Sequence, residues 1–150
     1  MMTAQTSTTD DLRAKWDPAW KRMLDAHGAC LRYEKAMKPL LDLQAEFCEQ
    51  HGLEKVDGRA DFGERRKALL AANPAFAVPE AMYDECERLC DEYVALTDEL
   101  MNLPAPDLSA LRWKLDRTEG TSWRAEYLAQ MHADMDRLIG KAPSIEQVAA

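Results

Sequence analysis

The side chains best suited to chemistry in this chain are four cysteines and three histidines, and their spacing is helical. His27 and Cys30 stand three residues apart, as do Cys48 and His51, while Cys86 and Cys90 are four apart. Each pair shares one face if its segment is an α-helix. Two such helices lying antiparallel would bring Cys48 and His51 toward Cys86 and Cys90, a Cys₃His set suited to tetrahedral zinc. Against that, the chain has no tight C-x₂-C knuckle, and a cysteine on the apolar side of a helix packs as a small hydrophobe. The expectation is core thiols with no metal and no cofactor, Cys48, His51, Cys86 and Cys90 being the set that would bind an ion if any did.

Other catalytic chemistry finds less support. No Glu has a His three residues later, so the Glu-x-x-His pair of di-iron bundles is absent. Gly-x-Ser-x-Gly, a phosphate-cradling glycine loop and His-Glu-x-x-His are absent too. Glu34 and Gln44 fall near an apolar stripe. Glu34 is expected at its edge, in water; a carboxyl buried without a partner would have a raised pKa. The chain reads as a non-enzyme.

The second candidate feature is acidic. Residues 79–103 hold eight carboxylates against the single cation Arg88, which is −7 of the chain's −8. Asp84, Asp91 and Asp98 repeat every seven residues, and Glu85, Glu92 and Glu99 repeat beside them. On the same helix, Met82, Cys86, Leu89, Tyr93, Leu96, Leu100 and Leu103 alternate steps of four and three, an apolar seam. Those six carboxylates are the candidate partner-binding surface. The plain alternative is a solvated helix face, helped by the basic cluster Arg59, Arg65, Arg66 and Lys67 just before it.

The elements that must position these groups are helices. Only six residues are Val or Ile, whereas Ala, Leu, Glu, Asp, Arg and Met abound. That balance favours helix over strand. At 150 residues the chain reads as one domain, able to bury roughly 70% of its unfolded surface. The net charge disfavours contact with phosphate backbones or anionic membranes. The polar start "MMTAQTSTTDD" and the absence of a run of about 18 apolar residues point to a cytoplasmic chain with reduced thiols.

Along the chain, residues 1–9 and 141–150 are expected to be disordered. "TTDDLRAKW" forms at most a turn of helix. Asp17-Pro18 then marks a start, an N-cap oxygen followed by proline at the first helical position. Trp20, Met23, Leu24, Cys30, Leu31, Met37, Leu40, Leu41, Phe47 and Cys48 give a long helix to about His51, kinked at Pro39 and capped by Gly52. Residues 52–78 read as an irregular connection with a turn at Asp57-Gly58. It contains a short helix over 62–72, capped by Asp61 and ended by Asn73-Pro74. After the acidic helix, "LPAPDL" makes a corner in which Asp107 caps a helix carrying Leu108, Leu111 and Leu115. Gly120, then Thr121 or Ser122, lead into a last helix through Trp123, Tyr127, Leu128, Met131, Met135, Leu138 and Ile139, closed by Gly140 and Pro143. The fold class is all-α: a long kinked antiparallel helical hairpin with two shorter C-terminal helices packed back on it, Trp113 and Trp123 filling the junction.

The stretch "MNLPAPDLSALRWKLD", residues 101–116, resembles a group of small uncharacterised helical proteins of alphaproteobacteria, encoded in prophage-like or plasmid regions. Pro104, Ala105, Pro106, Asp107, Leu108, Leu111, Lys114 and Leu115 match its corner and short helix. In layout the resemblance covers residues 18–139. It implies a bacterial cytoplasmic setting and a helical fold, and carries no activity.

The functional expectation is a non-catalytic protein–protein interaction or accessory protein of mobile-element origin, with a basic protein as partner. A second copy of the chain is a further partner that the regular seam allows. The alternatives are an acidic DNA mimic that sequesters a basic DNA-binding protein, and a small zinc-binding helical protein.

Overall fold

The computed structural model describes residues 7–53, 58–118 and 125–141. Every regular element among them is helical: α1 (Thr9–Gln50), α2 (Phe62–Ala72), a 3₁₀ turn (Pro74–Phe76), α3 (Glu80–Asn102), α4 (Leu108–Thr118) and α5 (Ala125–Leu138). The fold is all-α, with the long first helix packed antiparallel to α3. No described helix is long and apolar enough to cross a membrane. Asp57, Gly120, Thr121, Ser122, Trp123 and Pro143, assigned above to turns, caps and the junction, lie outside the described residues.

The first helix starts eight residues before the expected Asp17-Pro18. Thr8 and Asp11 form a reciprocal cap: the Asp11 carboxylate accepts from the Thr8 N–H at 3.0 Å, and the Thr8 hydroxyl accepts from the Asp11 N–H at 3.2 Å. These bonds satisfy amides that helix geometry leaves orphaned. Pro18 therefore sits inside the helix, where it removes one backbone bond. Burial offsets that loss, because Leu12, Trp16, Ala19 and Met23 on either side of Pro18 are all core residues. Pro39 likewise lies within the helix and does not divide it in two.

The described chain groups into two compact units. One comprises the chain up to Asp25 together with the chain from Val94 onward; the other is Ala26–Tyr93.

In the first unit, Leu12, Trp16, Ala19 and Met23 of α1, Leu100 and Met101 of α3, Ala105 of the corner, Ala110 and Leu111 of α4, and Met131 of α5 are all buried. Each large side chain removed from water in this way contributes about 1.5–3 kcal/mol. Trp113 stands edge-on to Trp20 at 5.1 Å and to Trp16 at 6.1 Å between ring centroids. The two α1 indoles stack at 6.2 Å. Asp107 caps α4 by accepting from the Ala110 N–H at 2.9 Å, and its other oxygen pairs with Arg13.

In the second unit, Ala26, Cys30, Met37, Phe47, Cys48, Leu53 and Val78 are buried. Phe47 stacks on Phe76 at 4.2 Å. The buried Gln44 carboxamide accepts from the Val78 N–H at 2.8 Å and donates to the Tyr83 hydroxyl at 3.2 Å, tying the start of α3 to α1. Gly52 takes the expected left-handed conformation, with φ of 74°. The short helix occupies Phe62–Ala72 as expected, but Asp61 makes no capping hydrogen bond. Its backbone lies at φ −98° and ψ 3°, outside the extended region from which an N-cap side chain reaches back. Asn73 closes α2 instead, its amide donating to the Leu69 carbonyl at 2.9 Å.

The expected stripe on α1 holds in part: Met23, Cys30, Met37, Phe47 and Cys48 are buried. Leu24, Leu31, Leu40 and Leu41 are exposed, while the small residues Ala19 and Ala26 are buried. The face that packs is Leu12, Trp16, Ala19, Met23, Ala26, Cys30 and Met37, and it includes alanines that allow a close approach.

Candidate functional site

The acidic helix presents its carboxylates to solvent, and the structure divides the six candidate residues into two groups. Arg88 bridges Glu85 and Glu92, donating to the former at 2.7 and 2.8 Å and to the latter at 3.4 Å. These hydrogen bonds hold the Glu85 carboxyl below its ordinary pKa. In the first unit Arg22 pairs with Glu99 at 2.8 Å, and the Tyr127 hydroxyl donates to Asp98. Four of the six are thus engaged within the chain.

Asp84 and Asp91 are not so engaged. Together with Glu80 and Glu87 they step along α3 by four, three and four residues, which places all four on one stripe. That stripe lies opposite the seam of Met82, Cys86, Leu89 and Tyr93. All four carboxylates are exposed and none has an ion-pair partner among the described residues. The basic residues Arg66 and Lys67 of α2 share an open cleft of about 830 Å³ with Glu80, Tyr83 and Asp84, without forming an ion pair there.

The thiols meet in a different combination from the expected one. Cys48, His51, Cys86 and Cys90 do not converge. In the antiparallel register Cys30 faces Cys90, so Cys48, eighteen residues further along α1, stands about 27 Å away from that point. His51 folds onto its own helix, its Nδ1 2.8 Å from the Phe47 carbonyl. The cluster that does form is Cys30, Glu34 and Cys90, whose ligand atoms all lie within 4.8 Å of one another. The two sulfurs are 3.0 Å apart, and Glu34 Oε1 lies 3.7 Å from Cys30 and 3.9 Å from Cys90. The neighbouring thiol of Cys90, burial and the Glu34 carboxylate push the Cys30 thiol up to about 12. Cys86, one helical turn before Cys90, is also raised, chiefly by burial. As expected, Glu34 is exposed at the edge of the packed face.

One polar centre was not anticipated from the sequence. Lys114 and Asp134, both fully buried, pair at 2.7 Å in the first unit. Lys114 also donates to the Leu103 carbonyl and lies 5.5 Å over the Trp16 ring. Asp134 accepts from the Ala105 N–H at 3.0 Å, from Gln130 at 3.1 Å and from Arg137 at 3.1 Å. Burial lowers the Lys114 pKa, opposed by the bond to Asp134. Every polar group here is committed to fixing the Leu103–Asp107 corner against α4 and α5, so the centre is structural. The i, i+3 pair of Asp134 and Arg137 was visible in the sequence, but nothing in it singled out Lys114 as their partner.

Comparison with known proteins finds no matching family model, no matching curated protein and no matching solved structure.

Proposed function

We propose that this chain is a non-catalytic interaction protein that docks a basic protein surface on the stripe Glu80, Asp84, Glu87 and Asp91. The observation that supports this reading is the division of labour on α3. The Glu85 and Glu92 carboxylates are both bonded by Arg88 from within the helix, whereas the four exposed carboxylates of the stripe form no ion pair among the described residues. Like charges three and four residues apart on a helix repel. A partner that supplies lysines or arginines relieves that repulsion and gains complementary charge, which favours fast and selective encounter. The resemblance of residues 101–116 to helical proteins of mobile elements supports an accessory role in a bacterial cytoplasm.

The experiment is a quantitative pull-down from the host with the wild-type chain and a variant carrying E80Q, D84N, E87Q and D91N. Exposed charge contacts contribute about 0–1 kcal/mol each, so four together amount to roughly a 10–100-fold loss of affinity. A partner recovered equally by both chains would sink the reading.

A further inference from the structure

We propose that the second unit holds a site for one thiophilic divalent cation, Zn²⁺, ligated by the thiolates of Cys30 and Cys90 and the carboxylate of Glu34, with a water in the fourth position. The ligand set differs from the one suggested by sequence spacing: Cys30 and Glu34 join Cys90, while Cys48, His51 and Cys86 stand outside the cluster. None of its ligands belongs to the acidic stripe.

The distances fit the ion. A tetrahedral zinc with Zn–S of about 2.3 Å and Zn–O of about 2.0 Å places its sulfur and oxygen ligands roughly 3.5 Å from one another. Glu34 Oε1 already lies 3.7 and 3.9 Å from the two sulfurs. The sulfurs themselves, 3.0 Å apart, need to separate to about 3.8 Å, a side-chain adjustment. With that change a point about 2.3 Å from both sulfurs falls roughly 2 Å from the oxygen. A water supplies the fourth corner.

The chemistry fits as well. Thiolate donors select soft d¹⁰ ions over calcium or magnesium. The cluster gathers two sulfurs and a carboxylate oxygen within 4.8 Å of one another. On binding a dication, two S–H protons leave to solvent as two Zn–S bonds form, and the carboxylate oxygen and a water complete the shell. The resulting monoanion is not sealed off, since Glu34 is exposed and Cys90 is half-buried.

The test uses the full chain, reduced, stripped of metal and titrated with Co²⁺ and then Zn²⁺ in competition with a chromophoric chelator. The expected result is a single equivalent of Co²⁺ with sulfur-to-metal charge transfer and tetrahedral visible bands, displaced by a single equivalent of Zn²⁺. Cys90→Ser lowers Zn²⁺ affinity by more than the roughly 100-fold lost with an outer hydrogen-bond partner of a ligand. Glu34→Gln lowers it less, and Cys48→Ser leaves it unchanged. Cys30 is buried and its serine variant risks unfolding, so Cys90→Ser, verified helical by circular dichroism, carries the test. A folded, reduced wild-type chain that takes up no Co²⁺ overturns the site. So does a chain that forms a Cys30–Cys90 disulfide in air and binds no metal once reduced, or a Cys90→Ser chain with wild-type affinity.

Discussion

Lys114 Nζ and Asp134 Oδ2 meet at 2.7 Å with neither side chain reaching solvent. Two ions taken out of water lose hydration worth several kcal/mol each, and they persist only where their remaining bonds are satisfied. Here the Leu103 carbonyl, the Ala105 N–H, Gln130 and Arg137 satisfy them. The pair thereby fixes the Pro104–Pro106 corner, whose backbone has few other partners.

Lys114→Met is expected to destabilise the chain by about 3–5 kcal/mol, because it strands the Asp134 carboxylate in a dry core. Urea denaturation measures the loss. Adding Asp134→Leu recovers part of it by removing the stranded charge, leaving the Ala105 N–H as the orphan. A double variant less stable than the sum of the two single changes would contradict this reading of the pair.

How far this architecture was legible depends on whether a feature is local. The bounds of α2, the left-handed Gly52 and Gly140, and the cap by Asp107 follow from residues within a few positions of one another. The early start of α1 was equally local, written in Thr8 and Asp11, but Asp17-Pro18 is the more conspicuous signal and masked it. Leu24 and Leu31 were assigned to the packed face because they are apolar. Helical phase puts them on the other side, and the small Ala19 and Ala26 carry the contact. The pairing of Cys30 with Cys90 and of Lys114 with Asp134 depends on the register between helices. Periodicity along one helix shows which face is buried, not which residue it meets, so both candidate centres escaped the sequence.

Gln44 is a polar residue in the middle of a buried face, 3% exposed. Gln44→Leu preserves volume and adds apolar surface, yet it removes the acceptor of the Val78 N–H. A cost of about 1–3 kcal/mol is expected, since a buried amide without a partner loses its hydration with no return. Hydrogen exchange at the Val78 amide should accelerate in parallel. A variant as stable as wild type would show that water reaches that amide.

The Cys30 thiol gives a pH signature in the metal-free chain. Its folded pKa is raised from 9.0 to about 12, so its stabilising contribution is complete below pH 9 and is lost as pH rises from 9 toward 12. At pH 9 the native thiolate fraction is lower than in urea by roughly a few hundred-fold, and alkylation of Cys30 should slow by at least that factor. Peptide mass spectrometry after timed iodoacetamide treatment reads the rate. Equal rates in native and unfolded chain would contradict the buried thiol pair.

The central functional claim is that the unpaired stripe on α3 receives a basic partner. A photo-crosslinker placed at residue 87 in the stripe, compared with one at the exposed Glu46 on α1, tests it most directly. The expected result is a single basic protein joined at 87 and not at 46, its yield falling as salt rises to about 1 M, where screening shortens to about 3 Å. Equal adducts at both positions, or an adduct at 87 indifferent to salt, would contradict it.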